Sequence, residues 1–194
     1  MNLLDQTSFL LRITRTHDIA RRYFVVNGFD GALTMLGLII GFLISETTDL
    51  SVIVNVCLGA AIALGMSGIS SAYVSESAER KRALLKLEEA MIEDLHDSAH
   101  GEAAREVPIL IALVNGCAPL IMSLLILTPL FLANAGFQLA LSPLYLAVIV
   151  ALLLIFLLGV FLGQISGVSW LRSGIRTLLV ALATVTFIYL LTGF

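Results

Sequence analysis

Five apolar runs constrain this chain more than any other feature: about 28–46, 51–74, 107–133, 143–166 and 174–193. Each meets the requirement of roughly 20 mostly apolar residues for crossing a bilayer. None shows the period-two alternation of a lipid-facing strand, so the backbone hydrogen bonds have to be satisfied inside helices. The sequence is 59% hydrophobic and 13% charged, against about a quarter charged in soluble domains, which excludes a water-soluble fold. The expected class is an all-α membrane protein of five transmembrane helices, with a short cytoplasmic helical segment between spans two and three. There is no convincing internal repeat, and an odd number of spans argues against a simple duplication.

Charge placement sets the expected orientation. All 11 Lys and Arg fall in three places. Arg12, Arg15, Arg21 and Arg22 precede span one; Arg80, Lys81, Arg82, Lys86 and Arg105 lie between spans two and three; Arg172 and Arg176 lie between spans four and five. The connections near Thr47–Leu50 and Asn134–Ser142 carry none. The positive-inside rule then predicts a cytoplasmic N-terminus and a C-terminus on the other side. Met1–Asp18 lacks the pattern of a cleavable signal peptide. Leu3, Leu4, Phe9, Leu10, Leu11 and Ile13 instead suggest an amphipathic segment on the cytoplasmic leaflet. The expected organisation is an amphipathic segment over 1–26, spans one and two over 27–74, an acidic cytoplasmic segment over 75–106, and spans three to five over 107–194. Cys57 and Cys117 fall inside spans and read as small apolar residues.

The polar residues inside the spans are the candidates for function. Asp30, in Asn27-Gly28-Phe29-Asp30-Gly31, is a carboxylate at the lip of an apolar run, and acids at bilayer depth usually face a cavity, pair, or carry ions and protons. The plain alternative is a helix N-cap. Thr34, Gly37 and Gly41 share its helical stripe, a narrow polar seam. On span two, Asn55, Gly59, Ile62, Met66, Ser70, Tyr73 and Ser77 fall on one face. The Met66 thioether with the hydroxyls of Ser70 and Tyr73 could line a path for a transition-metal ion; alternatively Met66 fills space and the small residues let helices pack.

Beyond Tyr73 no Pro or Gly interrupts Val74–Ser98, so the helix is expected to continue into the cytoplasm. On it Glu89, Glu93, His96 and His100 repeat at four, three and four residues, presenting two carboxylates and two imidazoles on one face. Glu93-Asp94-Leu95-His96 has the Glu-x-x-His spacing of di-iron bundles; a merely solvated acidic face is the other reading. Span three carries Asn115, Gly116 and Pro119, where a kink and a freed carbonyl are expected. Span four carries Gly159, Gly163 and Gly167 at four-residue intervals, a seam for tight crossing.

Taken in order, these features resemble the vacuolar iron transporter family. The resemblance rests on the Phe-Asp-Gly opening of span one, the Met/Ser/Gly-rich span two running into an acidic helix, the Gly116-x-x-Pro119 of span three, and Arg172-Ser173-Gly174-Ile175-Arg176. It covers nearly the whole chain from Arg21 onward. It implies a five-helix homodimer with the ion path along spans one and two at the two-fold interface, and proton-coupled movement of Fe(II) or Mn(II) out of the cytosol. By the same resemblance Asp30 corresponds to the family's span-one acid and Met66 is similar to its span-two methionines. Glu76, Glu79, Glu89 and Glu93 are counterparts in kind of a metal-collecting domain. The expected partners are a second copy, the bilayer, divalent metal ions and protons. No nucleic acid and no permanent cofactor is expected, the bound Fe(II) or Mn(II) being cargo.

Two other classes of function compete with this reading. Gly65-Met66-Ser67-Gly68 fits an intramembrane serine protease motif, but His17, His96 and His100 all lie in polar segments, leaving no base in a span. Asp30-Gly31 also has a likeness to phospholipid-headgroup transferases, without their further spaced aspartates. A non-enzyme is therefore expected. The remaining alternative is a membrane-anchored ferroxidase-like or metal-sensing protein using the Glu/His helix. The topology suits a cell membrane in a prokaryote and a vacuolar-type membrane in a eukaryote.

Overall fold

The computed structural model describes residues 16–192, which form helices and turns with no strand among them. There are five helices: α1 (Thr16–Ile44), α2 (Leu50–Met91), α3 (Ala99–Asn134), α4 (Pro143–Ile165) and α5 (Trp170–Thr192). All five are long and apolar enough to cross a membrane, so the chain is a multi-pass membrane protein. Most of the amphipathic segment expected over 1–26 lies outside the described residues.

Local chemistry accounts for the helix ends. Asp49 opens α2, its Oδ1 accepting the N–H groups of Ser51 (3.0 Å) and Val52 (3.3 Å). Ser98 opens α3, its Oγ accepting from His100 (3.2 Å) and Gly101 (3.4 Å), the usual N-cap arrangement. Pro143 starts α4, where its missing N–H costs nothing. Four helices end in a left-handed residue followed by an N–H bond five residues back: Thr47 to Phe42 O, Glu93 to Glu88 O, Phe137 to Leu132 O and Val168 to Gly163 O. The left-handed residues are Glu46, Ile92, Gly136 and Gly167. This is the Schellman closure, for which glycine is the usual residue.

One of these ends corrects the sequence reading. The helix expected to run through Ser98 stops at Met91, because Ile92 turns to φ 54°. Residues 92–98 are a turn, and α3 begins at Ala99. The polar segment over 75–106 is thus two helical arms, each continuous with its span.

The chain forms two compact units. One combines Val25–Leu64 with Ala118–Phe194; the other combines the described residues through Phe24 with Gly65–Cys117. In the first, Ala32, Met35, Leu36 and Ile39 of α1 meet Ile53, Cys57 and Ala61 of α2, Ile126, Leu127 and Leu130 of α3, and Ala147, Ala151 and Ile155 of α4. Their spacing is helical. Between helices in lipid no water is expelled, so close packing and backbone approach supply the attraction. Gly31 lies against the backbone of Pro119, where a Cβ would come within 2.6 Å of its Cα and carbonyl oxygen. Gly159 and Gly163 meet Thr177 and Ser173, and Thr177 Oγ1 donates to Ile155 O (3.1 Å) and Gly174 O (2.8 Å). The Gly159/Gly163 seam is therefore an α4–α5 crossing, which uses the Arg172–Arg176 stretch on its other side.

In the second unit α2 and α3 cross where Gly68 faces Asn115 and Gly116. Asn115, buried, donates from Nδ2 to Gly68 O at 2.7 Å. A Cβ on Gly68 would sit 3.1 Å from the Asn115 carbonyl oxygen. That carbonyl lies four residues before Pro119, whose ring nitrogen cannot bond it. Ala103, Val107 and Ile111 of α3 pack with Ile19 and Tyr23 of α1.

Candidate functional site

Asp30 lies in the interior of α1, about 21 Å along the helix from Thr16 at 1.5 Å per residue. The chain is already helical at Thr16, so an N-cap role for Asp30 is excluded. Its position follows from its neighbour. Gly31 is buried against Pro119, and one residue is a rotation of about 100°, which turns Asp30 away from that contact. The carboxylate is exposed on the single chain and has no hydrogen-bond or ion-pair partner among the described residues. Thr34, Gly37 and Gly41 continue the stripe, all partly exposed. Gly41 has nothing within 4 Å of a notional Cβ. A Cβ on Gly37 would lie 3.5 Å from Ile188 Cδ1 of α5, so the seam read from spacing is open at Asp30 and Gly41 and touched by α5 between them.

The span-two stripe is uncovered as well. Asn55, Gly59, Ile62, Met66, Ser70 and Tyr73 are all exposed, Met66 at 57%. The Met66, Ser70 and Tyr73 side chains have no polar partner among the described residues. Met66 does not fill space in the interior of the chain; its thioether is on the outside.

Glu76 is the opposite case. It is 7% exposed, accepts a hydrogen bond from Tyr23 Oη at Oε1 (3.2 Å), and lies with Oε2 3.7 Å from Arg80 Nε. Both oxygens of this carboxylate are thus committed within the chain. Tyr23 lies 53 residues earlier, and sequence spacing gave no signal for the pairing; Arg80, at i+4, was visible as a helix neighbour.

The remaining candidates are dispersed. Glu79 and Glu89 are exposed on α2, Glu93 and His96 lie in the turn after it, and His100 is in the first turn of α3. The ladder of Glu89, Glu93, His96 and His100 needed one unbroken helix, and the left-handed Ile92 removes it. His96 Nδ1 is instead 3.5 Å from Asp97 Oδ1, with both side chains in solvent. Among the described residues, no three His, Cys, Asp or Glu are gathered so that they could hold a metal ion. Cys57 is buried and Cys117 exposed, both as free thiols.

An all-helical, five-span membrane protein with an intramembrane acid on an open face has the makings of a transporter of cations. The profile of the VIT family matches residues 81–193, and the chain belongs to this family, the vacuolar iron transporters, which are membrane metal-ion transporters. An uncharacterized protein of Methanocaldococcus jannaschii is 32% identical over 173 residues, covering 88% of this chain and 87% of that one. No solved structure matches.

Proposed function

We propose that this protein carries Fe(II) or Mn(II) out of the cytosol in exchange for protons, as a homodimer whose path runs along α1 and α2. The observation that supports this reading is Asp30: a carboxylate in the interior of a spanning helix, exposed on one chain and without a partner there. Leaving it against lipid costs a few kcal/mol or more, so the working assembly gives it water, an ion or a second subunit. Symmetric dimers bury the same face of both copies. In such a dimer the exposed Asp30 carboxylates and the Thr34 hydroxyls of α1 serve the ion, and the proposed path draws its further donors from Met66, Ser70 and Tyr73 of α2. A dication between two carboxylates is compensated for lost hydration, and proton uptake by those carboxylates on the far side releases it. The orientation is N-terminus inside. The exposed acids of the polar arms, Glu79, Glu89 and Glu93 among them, act as a diffuse attractor that raises the local cation concentration.

Flux of Mn(II) and Fe(II) into proteoliposomes, with and without a pH gradient, tests the proposal. Asp30→Asn lowers flux on the order of a hundredfold in a dimer that still assembles, and imposing an opposing pH gradient accelerates flux through the unaltered protein. Undiminished flux in Asp30→Asn would overturn the mechanism.

A further inference from the structure

From Val107 to Phe194 the chain carries two charged side chains, Arg172 and Arg176, and no Asp or Glu to balance them. Every other Lys and Arg shares its segment with acids. A guanidinium cannot shed its proton in a protein, so both charges are permanent. Both residues are exposed, and among the described residues neither has a hydrogen bond, an ion pair or a ring contact.

The crossing with α4 sets where these two arginines stand on α5. Ser173, Gly174 and Thr177 meet Gly159 and Gly163, and Ala181 is fully buried one turn farther on. At about 100° per residue, Arg172 and Arg176 lie well round the helix from that seam. Four residues apart, they share one face, which continues through Val180, Ala183 and Phe187. All of these are exposed, and Leu179 beside them is as well. On a helix long and apolar enough to span, an exposed apolar stripe faces acyl chains. From Arg176 to Phe187 the stripe runs about 16 Å at 1.5 Å per residue, half of a hydrocarbon core roughly 30 Å thick. That is the depth of one leaflet. Arginine stems lie along such a surface and lift the charged heads to its edge.

We propose that this face of α5 docks one anionic phospholipid from the leaflet at the α4–α5 turn. Its phosphate sits on Arg172 and Arg176, and an acyl chain lies along Val180, Ala183 and Phe187. The Cβ atoms of such a pair are about 5–6 Å apart, so both guanidiniums reach one phosphate, and each can offer it two parallel N–H donors. The absence of acids decides the class of lipid. A zwitterionic headgroup brings an ammonium for which this stretch has no carboxylate, whereas a net-negative headgroup complements the two charges. A soluble anion meets the arginines but leaves the apolar stripe unused.

Native mass spectrometry of the full chain in detergent, titrated with phosphatidylglycerol, phosphatidylethanolamine or phosphatidylcholine of the same acyl length, tests the assignment independently of transport. Phosphatidylglycerol is retained on the order of tenfold over the other two, the scale of two basic side chains beside an anionic headgroup. Arg172→Gln and Arg176→Gln each lower that preference about threefold, and the double variant removes it. Arg82→Gln with Lys86→Gln takes the same net charge from exposed positions of α2 and leaves the preference intact. Inorganic phosphate does not displace the bound lipid. Equal retention of the three lipids, an undiminished preference in the Arg172→Gln/Arg176→Gln protein, an equal loss in the α2 control, or displacement by phosphate would overturn the proposal.

Discussion

Two carboxylates, Asp30 on α1 and Glu76 on α2, show how differently this chain treats buried-length acids. Glu76 is enclosed and has both oxygens engaged, by Tyr23 and Arg80. Asp30 is exposed, with no partner among the described residues. An acid satisfied inside one chain is a fastener; an acid left open along a membrane helix is available to something that arrives. The contrast extends to their surroundings. Gly31 fixes Asp30 by backbone contact alone, whereas Glu76 is fixed by its own side-chain bonds.

The largest effect expected from breaking this contrast is on transport. Asp30→Asn removes the charge offered to the ion, and proteoliposome flux falls on the order of a hundredfold, the scale of an uncompensated charge. Glu76→Gln, by comparison, lowers thermal stability more than it lowers flux. Next comes the glycine pair. Gly31→Ala places a Cβ 2.6 Å from Pro119 backbone atoms and costs about 1–3 kcal/mol, as overpacking does. Gly41→Ala, with open space around it, is neutral or stabilising by a few tenths of a kcal/mol. Thermal unfolding of the detergent-solubilised variants measures both. Tyr23→Phe takes away the Glu76 hydrogen bond at a cost of about 1 kcal/mol, and a double-mutant cycle with Glu76→Gln isolates the coupling. A gain of similar size is expected at the helix end: Ile92→Gly relieves a left-handed, β-branched residue and stabilises by roughly 1 kcal/mol.

The five spans were legible because a 20-residue apolar run has few alternatives in lipid. Helix ends were legible in proportion to their chemistry. Gly136 and Gly167 mark two of the Schellman turns openly, while Glu46 and Ile92 adopt the same geometry without a residue that announces it. The missing signal at Ile92 explains the failed Glu/His ladder, since every later residue was phased on a helix that had already ended. Asp30 stood out as an acid in an apolar setting, yet its place inside α1 did not, because helix α1 reaches back across Arg21 and Arg22 into polar sequence. The Tyr23–Glu76 bond joins residues on two helices, and nothing periodic in either helix points to the other.

The contact between Gly31 and Pro119 limits how this protein can change shape. With main chain against main chain, α1 has no room to spin about its axis at that level: rotation one way drives Asp30 into α3, and the other way drives Ala32. Exposure of the acid to one compartment and then the other therefore requires α1 and this stretch of α3 to rock together as a rigid pair.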